Sequence, residues 1–360
     1  MEDSSVRQKI KKHGTAIAFV LGFIWDNIML SQIDHVFANI MLGSYLVISA
    51  FSILIMNLPF HPERRVKIIE KITKWFPLIL QFCFGSLFSA YIIFYTRSAS
   101  ISNNWPFLLF LVLLVISNEL LRKRYLSITL PVSLFFTVLF SYNIFSLPIL
   151  LKSMSALIFI LSGLATLIII TIFIWILSRI APEKYASSKR SLILSLSAIY
   201  ILFNVAYFTN IIPPVPLALK EIGVYHSVTR LANGEYTLSF EHDSWYPFIS
   251  NTDSTFHQKP NESVYVWSSI FAPTDLTVPI YYRWQYFDDA QKKWIETDLI
   301  QLPIFGGRDE GFRGYTKKSN VQPGLWRVDV ETNRKNLIGR IEFTVEDAID
   351  PINSIVTETK

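Results

Sequence analysis

The sequence predicts a multi-pass α-helical membrane bundle of about seven spans, followed by an all-β sandwich of immunoglobulin or fibronectin type. Three observations carry this. Residues 1–213 contain seven long apolar stretches, basic residues concentrate in alternate loops between them, and after about residue 224 the pattern becomes short runs that alternate apolar and polar.

Composition sets the frame. Of 360 residues 51% are hydrophobic and 17% are charged, where a soluble domain carries about a quarter charged. The deficit is local. Residues 1–213 hold 18 Lys/Arg against 8 Asp/Glu, and residues 214–360 hold 15 against 20. The net charge of +5 therefore belongs to the apolar half and is not a nucleic-acid footprint. The single cysteine, Cys83, excludes an intrachain disulfide and a cysteine-based metal site.

A helix of about 18 apolar residues crosses a hydrocarbon core of roughly 30 Å. The stretches are 15–31, 36–58, 76–96, 105–121, 126–147, 154–178 and 191–213, the first interrupted by Trp25, Asp26 and Asn27. Lys and Arg in successive hydrophilic segments number 4, 0, 5, 1, 3, 1 and 4. Basic loops stay in the cytoplasm, so the N-terminus is expected there and everything after residue 213 on the opposite side. No small-residue cleavage site follows the basic start, so a cleaved signal peptide is not expected. Pro213, Pro214 and Pro216 are expected to end the seventh helix. "LALKEIG" reads as a short interfacial helix within a juxtamembrane linker, residues 214–223.

The second half, 224–346, reads as strands at 235–242, 263–271, 278–287, 293–302, 311–318, 325–332 and 338–345. They are rich in β-branched and aromatic residues and alternate with period two. "DDAQKK" (288–293), "TNRKN" (332–336) and "QPG" (322–324) read as turns. Seven short strands at this spacing suggest the sandwich. The tail, 347–360, has no periodicity and is expected to be loose.

The ordered run "IPPVPLALKEIGVYHSV", "ESVYVWSSIFAP", "VPIYYRWQYFD", "GGRDEGFRGYTKK", "PGLWRVDVET", "IGRIEFTV" resembles the bacterial family DUF2914, a domain of unknown function. The resemblance covers about residues 211–346. It extends more loosely to the apolar half, where "GFIWDNIML" is similar to the family's first span. It implies a multi-pass protein of the bacterial inner (plasma) membrane with a periplasmic β domain, and it implies no activity.

Several residues are candidates for function. Asp26 lies within the first span with Asn27 beside it, and Asp34 and His35 follow just outside. An ionisable group inside a membrane span is costly and often functional. These four residues could serve a proton or cation path, or Asp26 could pair with Arg97 or Lys152 and only fix packing. Glu119 has Arg122 and Lys123 three and four positions on, which is ion-pair spacing on a helix. In "GGRDEGFRGY", Arg308 and Arg313 could hold a lipid phosphate or a carboxylate, unless the segment is only a hairpin connection. Tyr281, Arg283 and Tyr315 add exposed aromatic and cationic groups that could meet a sugar or a peptide. Trp267, Trp284 and Trp326 are expected in the core. His226, His242 and His257 are scattered and form no metal motif, and nucleotide and nucleophile fingerprints are absent from the sequence. No cofactor and no nucleic-acid partner is therefore expected.

The leading reading is a non-enzymatic one. The lipid bilayer is the first partner. The β domain would bind an envelope protein, a glycan or an anionic lipid, and the helices would anchor it or relay its state. The second reading is a transporter or lipid-handling protein that uses the Asp26 region. The third is a membrane-embedded enzyme.

Overall fold

The computed structural model describes residues 36–59, 75–98, 101–120, 127–241, 255–307, 311–348 and 355–360. It divides the chain into two compact units, a helical one of Met1–Thr96 and Asn104–Ile212 and a β-rich one of Pro213–Lys360, with which Arg97–Asn103 is grouped.

The helical unit contains α1 (Val36–Met56), α2 (Phe76–Ser98), α3 (Ile101–Leu120), α4 (Thr129–Leu150), α5 (Ala156–Ile180) and α6 (Pro182–Phe208). Six of the seven apolar stretches are thus helical, and the first lies outside the described residues. Among the described residues, five helices (all but α3) are long and apolar enough to cross a membrane. In α2 and α4, 78% of the apolar window is buried, against 17% in α6. The first two are therefore central and α6 is peripheral.

Apolar helices leave few ways to satisfy polar side chains, and several of those present pair across helices. Asn143 Nδ2 donates to Thr166 Oγ1 at 2.9 Å, and Ser162 Oγ donates to Asn143 O at 3.0 Å, which ties α4 to α5. Ser133 and Ser195 hydroxyls lie 2.6 Å apart between α4 and α6. Tyr91 OH donates to Val138 O at 2.8 Å, joining α2 to α4. Phe140 stacks on Tyr200 and Phe203 at 5.7 and 4.8 Å.

The last helix ends earlier than expected. It stops at Phe208, five residues before Pro213. Asn210 adopts a left-handed φ of 57°, and the amides of Ile211 and Ile212 turn back to Ala206 O at 2.9 and 3.0 Å. Asn104 Nδ2 donates to the carbonyls of Asn210 and Ile211, just past the helix, at 3.2 and 2.9 Å. A left-handed residue with backbone bonds folded behind it is a helix stop in its own right. The prolines follow the stop and do not make it.

The β unit contains β1 (Ala218–Tyr225), β2 (Ser227–Arg230), β3 (Tyr236–Glu241), β4 (Thr255–Gln258), β5 (Val264–Phe271), β6 (Thr277–Asp288), β7 (Lys293–Phe305), β8 (Phe312–Lys318), β9 (Gly324–Thr332), β10 (Leu337–Asp347) and β11 (Ile355–Thr359). All seven expected strands are present. The segment "LALKEIG" is a correction. It is not a helix but most of β1, paired antiparallel with β5 from Ala218↔Phe271 to Tyr225↔Tyr265. The tail is also not wholly loose, because β11 pairs with β3 from Ile355↔Glu241 to Thr359↔Thr237.

The strands form three sheets, ordered β1-β5-β8, β4-β10-β9-β6-β7 and β11-β3-β2. The first sheet packs on the second. Ser268 Oγ and Tyr282 OH lie 2.5 Å apart, and Trp284 Nε1 donates to Thr316 Oγ1 at 3.1 Å. The approach is close: a Cβ on Gly339 of β10 would fall 2.1 Å from Leu219 Cδ2 of β1. Trp284 also meets Trp326 and Phe343 at 6.4 and 6.3 Å. The opposite face of the first sheet packs on the third sheet. There Trp267 lies in a cluster with Tyr225, Val228, Tyr236, Leu238 and Phe240. Trp267, Trp284 and Trp326 are all core residues.

The first glycine of "GGRDEG", Gly306, has a packing role. A Cβ on Gly306 would sit 1.8 Å from Pro273 O and 2.9 Å from Ala272 O, and Gly306 N–H donates to Leu276 O at 2.9 Å. The obstacle is backbone, which cannot swing away as a side-chain tip can. We expect Gly306→Ala to destabilise the β unit by about 3 kcal/mol, the upper end of overpacking costs. Thermal melts of the purified chain followed by tryptophan fluorescence check this; an unchanged melting temperature would show that the 272–274 turn yields.

Candidate functional site

Strand alternation sends every second side chain of the five-stranded sheet away from the core. On β6 the inward set is Val278, Ile280, Tyr282 and Trp284, all buried. The outward set includes Tyr281, Arg283 and Gln285. β9 presents Arg327, Asp329 and Glu331 outward, and β10 presents Arg340 and Glu342. The register sets Arg283 opposite Asp329 and Asp329 opposite Arg340. One row further, Gln285 is opposite Arg327 and Arg327 is opposite Glu342. Charges of opposite sign therefore neighbour one another across three strands, the arrangement cross-strand pairs favour.

The side chains interlock. Arg283 donates from Nε and NH2 to Glu331 Oε1 at 3.1 and 2.5 Å, and from NH1 to Glu296 Oε2 of β7. Arg340 holds Asp329 with two bonds, Nε to Oδ1 at 2.5 Å and NH2 to Oδ2 at 2.8 Å. Gln285 bridges the rows, donating from Nε2 to Asp329 Oδ2 at 3.2 Å while its Oε1 accepts from Arg327 NH2. The Arg327 guanidinium lies 4.2 Å from the ring centre of Trp294, and Trp294 meets Phe287 at 5.2 Å.

The hydrogen bonds to Glu331 outweigh burial and raise the Arg283 pKa, and Asp329 does the same for Arg340. Burial, then the neighbouring Arg340, lowers that of Arg327. Three arginines face four carboxylates, Glu296, Asp329, Glu331 and Glu342. The cations are already matched, so this face is not an anion trap. It is an array of paired donors and acceptors, with Phe287 and Trp294 at one end and Tyr281 at the other.

The candidates read from the sequence do not form one site. Tyr281 and Arg283 lie on this face. Arg313 and Tyr315 lie on β8, whose Gly314 and Thr316 point toward the five-stranded sheet, so they point the other way. Tyr315 meets Tyr236 and Tyr265 at 6.1 and 6.0 Å, and Arg313 O accepts a 3.5 Å bond from Tyr236 OH. Arg308, Asp26, Asn27, Asp34 and His35 lie outside the described residues, as do Arg122, Lys123 and the side chain of Glu119. The partners of Arg283 were missed by sequence reasoning, although the signal was there. Charged residues recur with period two in 325–332 and 338–345.

Residues 278–345 match the family model DUF2914, a protein of unknown function. That DUF2914 segment contains the whole interlocked face, from Tyr281 to Glu342. No curated protein matches the sequence. Among solved structures, a β-glucosidase from Listeria innocua in complex with gluconolactone is 12% identical, over 32% of this chain and 17% of that chain, with a TM-score of 0.20. The alkylpurine DNA glycosylase AlkC of Pseudomonas fluorescens, bound to DNA containing an abasic site analog, is 8% identical over 88% and 99%, with a TM-score of 0.22. Likenesses at these scores carry no argument.

Removing one partner of a buried ion pair leaves a charge without compensation, whereas replacing both by apolar groups is often neutral. Arg283→Ala should therefore cost about 3 kcal/mol by stranding Glu331, and Arg283→Met combined with Glu331→Leu should cost clearly less. Denaturant unfolding of the three proteins checks this. A double variant at least as unstable as the single one would show that the pair is not the unit of stabilisation.

Proposed function

We propose that the chain is a bacterial inner-membrane protein whose β unit is an extracytoplasmic binding module, anchored by seven spans with the N-terminus in the cytoplasm. In this reading the first two sheets are an immunoglobulin-like sandwich, and the third sheet is an addition to it. The alternation of basic loops and the five long apolar helices support the anchoring and its direction. The interlocked face of the DUF2914 segment carries the binding reading. Arg and aromatic residues that are rigidly held and only partly buried are the groups that dominate binding energy at protein interfaces. Here Arg283, Arg327 and Trp294 are held by their neighbours, with Tyr281 on the same face, so a ligand would meet three of these groups at reduced ordering cost. The matched charges favour a polar partner in the envelope, a protein or a glycan, over an anionic lipid.

Two measurements test this. In a Cys83→Ser background, a membrane-impermeant maleimide should label Ala290→Cys in intact cells and Ala186→Cys only after permeabilisation. The opposite pattern would put the β unit in the cytoplasm and end the envelope reading. A photo-crosslinking side chain at position 281 should give a discrete adduct in living cells that disappears with Arg283→Ala. If no adduct forms, or if it survives that substitution, this face is not the binding surface.

A further inference from the structure

A second titratable cluster lies elsewhere in the β unit. His226 sits at the bend between β1 and β2, its side chain 4% exposed, with its backbone N–H bonded to Ser239 O at 2.8 Å. Its Nε2 is 2.8 Å from Glu241 Oε1, at the end of β3, and its Nδ1 is 2.9 Å from Glu262 Oε1, just before β5. Glu241 also faces His257 of β4, accepting Nδ1 at 2.5 Å and the backbone N–H at 2.8 Å. Glu262 accepts the Lys259 N–H at 2.9 Å, and its carbonyl accepts Gln258 Nε2 at 2.8 Å. Phe256 stacks on the imidazole at 4.2 Å. Glu346 and Asp347 of β10 are the register partners of His257 and Gln258. The adjoining cavity, lined by His226, Glu241, Thr255 and Phe256 among others, measures about 10 Å³, room for no more than one water. Among the described residues, no group of three His, Cys, Asp or Glu is placed to hold a metal ion.

An ionised carboxylate only accepts, so a ring between two of them must donate from both nitrogens, and only the imidazolium does so. A neutral ring keeps one N–H and turns a lone pair toward the other carboxylate. The side chain of Glu241 is 7% exposed and that of Glu262 is 17% exposed. Water can replace the lost donor more readily at Glu262, so that contact is the one that opens.

We propose that His226 is a pH-sensitive latch. Protonated, it clamps residues 255–262 to the β1–β2 bend; neutral, it releases Glu262 and loosens that segment. This inference goes beyond the binding reading and does not depend on it. Histidine is the side chain whose charge ordinarily changes between about pH 5 and 8. A ring that has lost one proton keeps a single N–H and cannot donate to both carboxylates, so the double clamp is lost as pH rises. Glu241 sets the other limit. Burial pushes its pKa up, but the bonds from His257 and His226 outweigh burial and hold it below the usual carboxylate value. Its contribution is present above that usual value and lost as pH falls through the depressed one. The clamp is tightest between these limits.

Hydrogen exchange of the full chain in lipid nanodiscs tests the latch, with rates corrected for intrinsic pH dependence and β9 as internal reference. Protection of residues 255–262 relative to β9 should fall on the order of tenfold from about pH 6 to about pH 8, the value of one hydrogen bond to a charged group. In His226→Gln the fall should vanish. In Glu262→Gln it should shrink, because an amide can donate to the neutral ring or accept from the charged one. Constant relative protection in the unmodified chain, or an undiminished fall in either variant, overturns the latch. If His226→Gln does not fold, Glu262→Gln decides.

Discussion

Strand β5 has no solvent side, and the β unit is arranged around that constraint. Val264, Val266, Ser268 and Ile270 face the five-stranded sheet, while Trp267 faces the cluster under the third sheet. Burial on both sides favours partners for the polar atoms, although the indole Nε1 of Trp267 is buried without one. Ser268 meets Tyr282 OH, and the β5 backbone is taken up on both edges by β1 and β8. With β5 fixed, β6 is held face to face against it, and β6 then sets the register of β7 and β9. The glycines at 306 and 339 sit where backbone or a neighbouring side chain comes too near for a Cβ.

A two-sided core has a consequence for the outer face of the five-stranded sheet. That face is left to polar residues, yet Asp329, Glu331 and Gln285 are themselves buried there. They are covered by the long stems of Arg283, Arg327 and Arg340, which lie along the sheet with their charged heads paired. Arginine suits this task because its planar head can bind a carboxylate with two bonds while its stem shields what lies beneath. The result is a rigid polar surface. Rigidity suits recognition, since flexible side chains would have to be ordered on binding.

The helical unit meets the opposite problem with the same accounting. Its outer surface is apolar, and large hydrophobic side chains such as Ile168, Ile172 and Trp175 are exposed. Some of its polar side chains turn inward and pair with each other or with carbonyls one turn back, as Thr166 and Ser162 do, while others, such as Ser89, keep a buried hydroxyl without a hydrogen bond. Asn104 braces the turn after α6 by donating to the carbonyls of Asn210 and Ile211. The helix end that local sequence assigns to prolines is thus made at Asn210, and a side chain more than a hundred positions away braces the turn that follows it.

The sequence by itself determined the division into apolar helices and alternating strands, because both follow from periodicity, which is local. Six of the seven apolar stretches are helices, all seven strands are present, and the inward tryptophans follow from period two. The DUF2914 likeness was legible for the same reason, since it rests on short ordered motifs. Tyr281 and Arg283 could be named, but their partners Glu296, Asp329 and Glu331 come from strands brought together by pairing. Register between strands is set by packing and not by spacing along the chain. That is also why β1 was read as a helix. "LALKEIG" has weak alternation, and its strand form is stabilised by β5, more than forty residues later in the chain. His226, Glu241, His257 and Glu262 look unrelated in sequence. Only the tertiary structure decided that they share one buried cluster, because it alone turns the chain at His226 and brings the ends of three strands to the same ring.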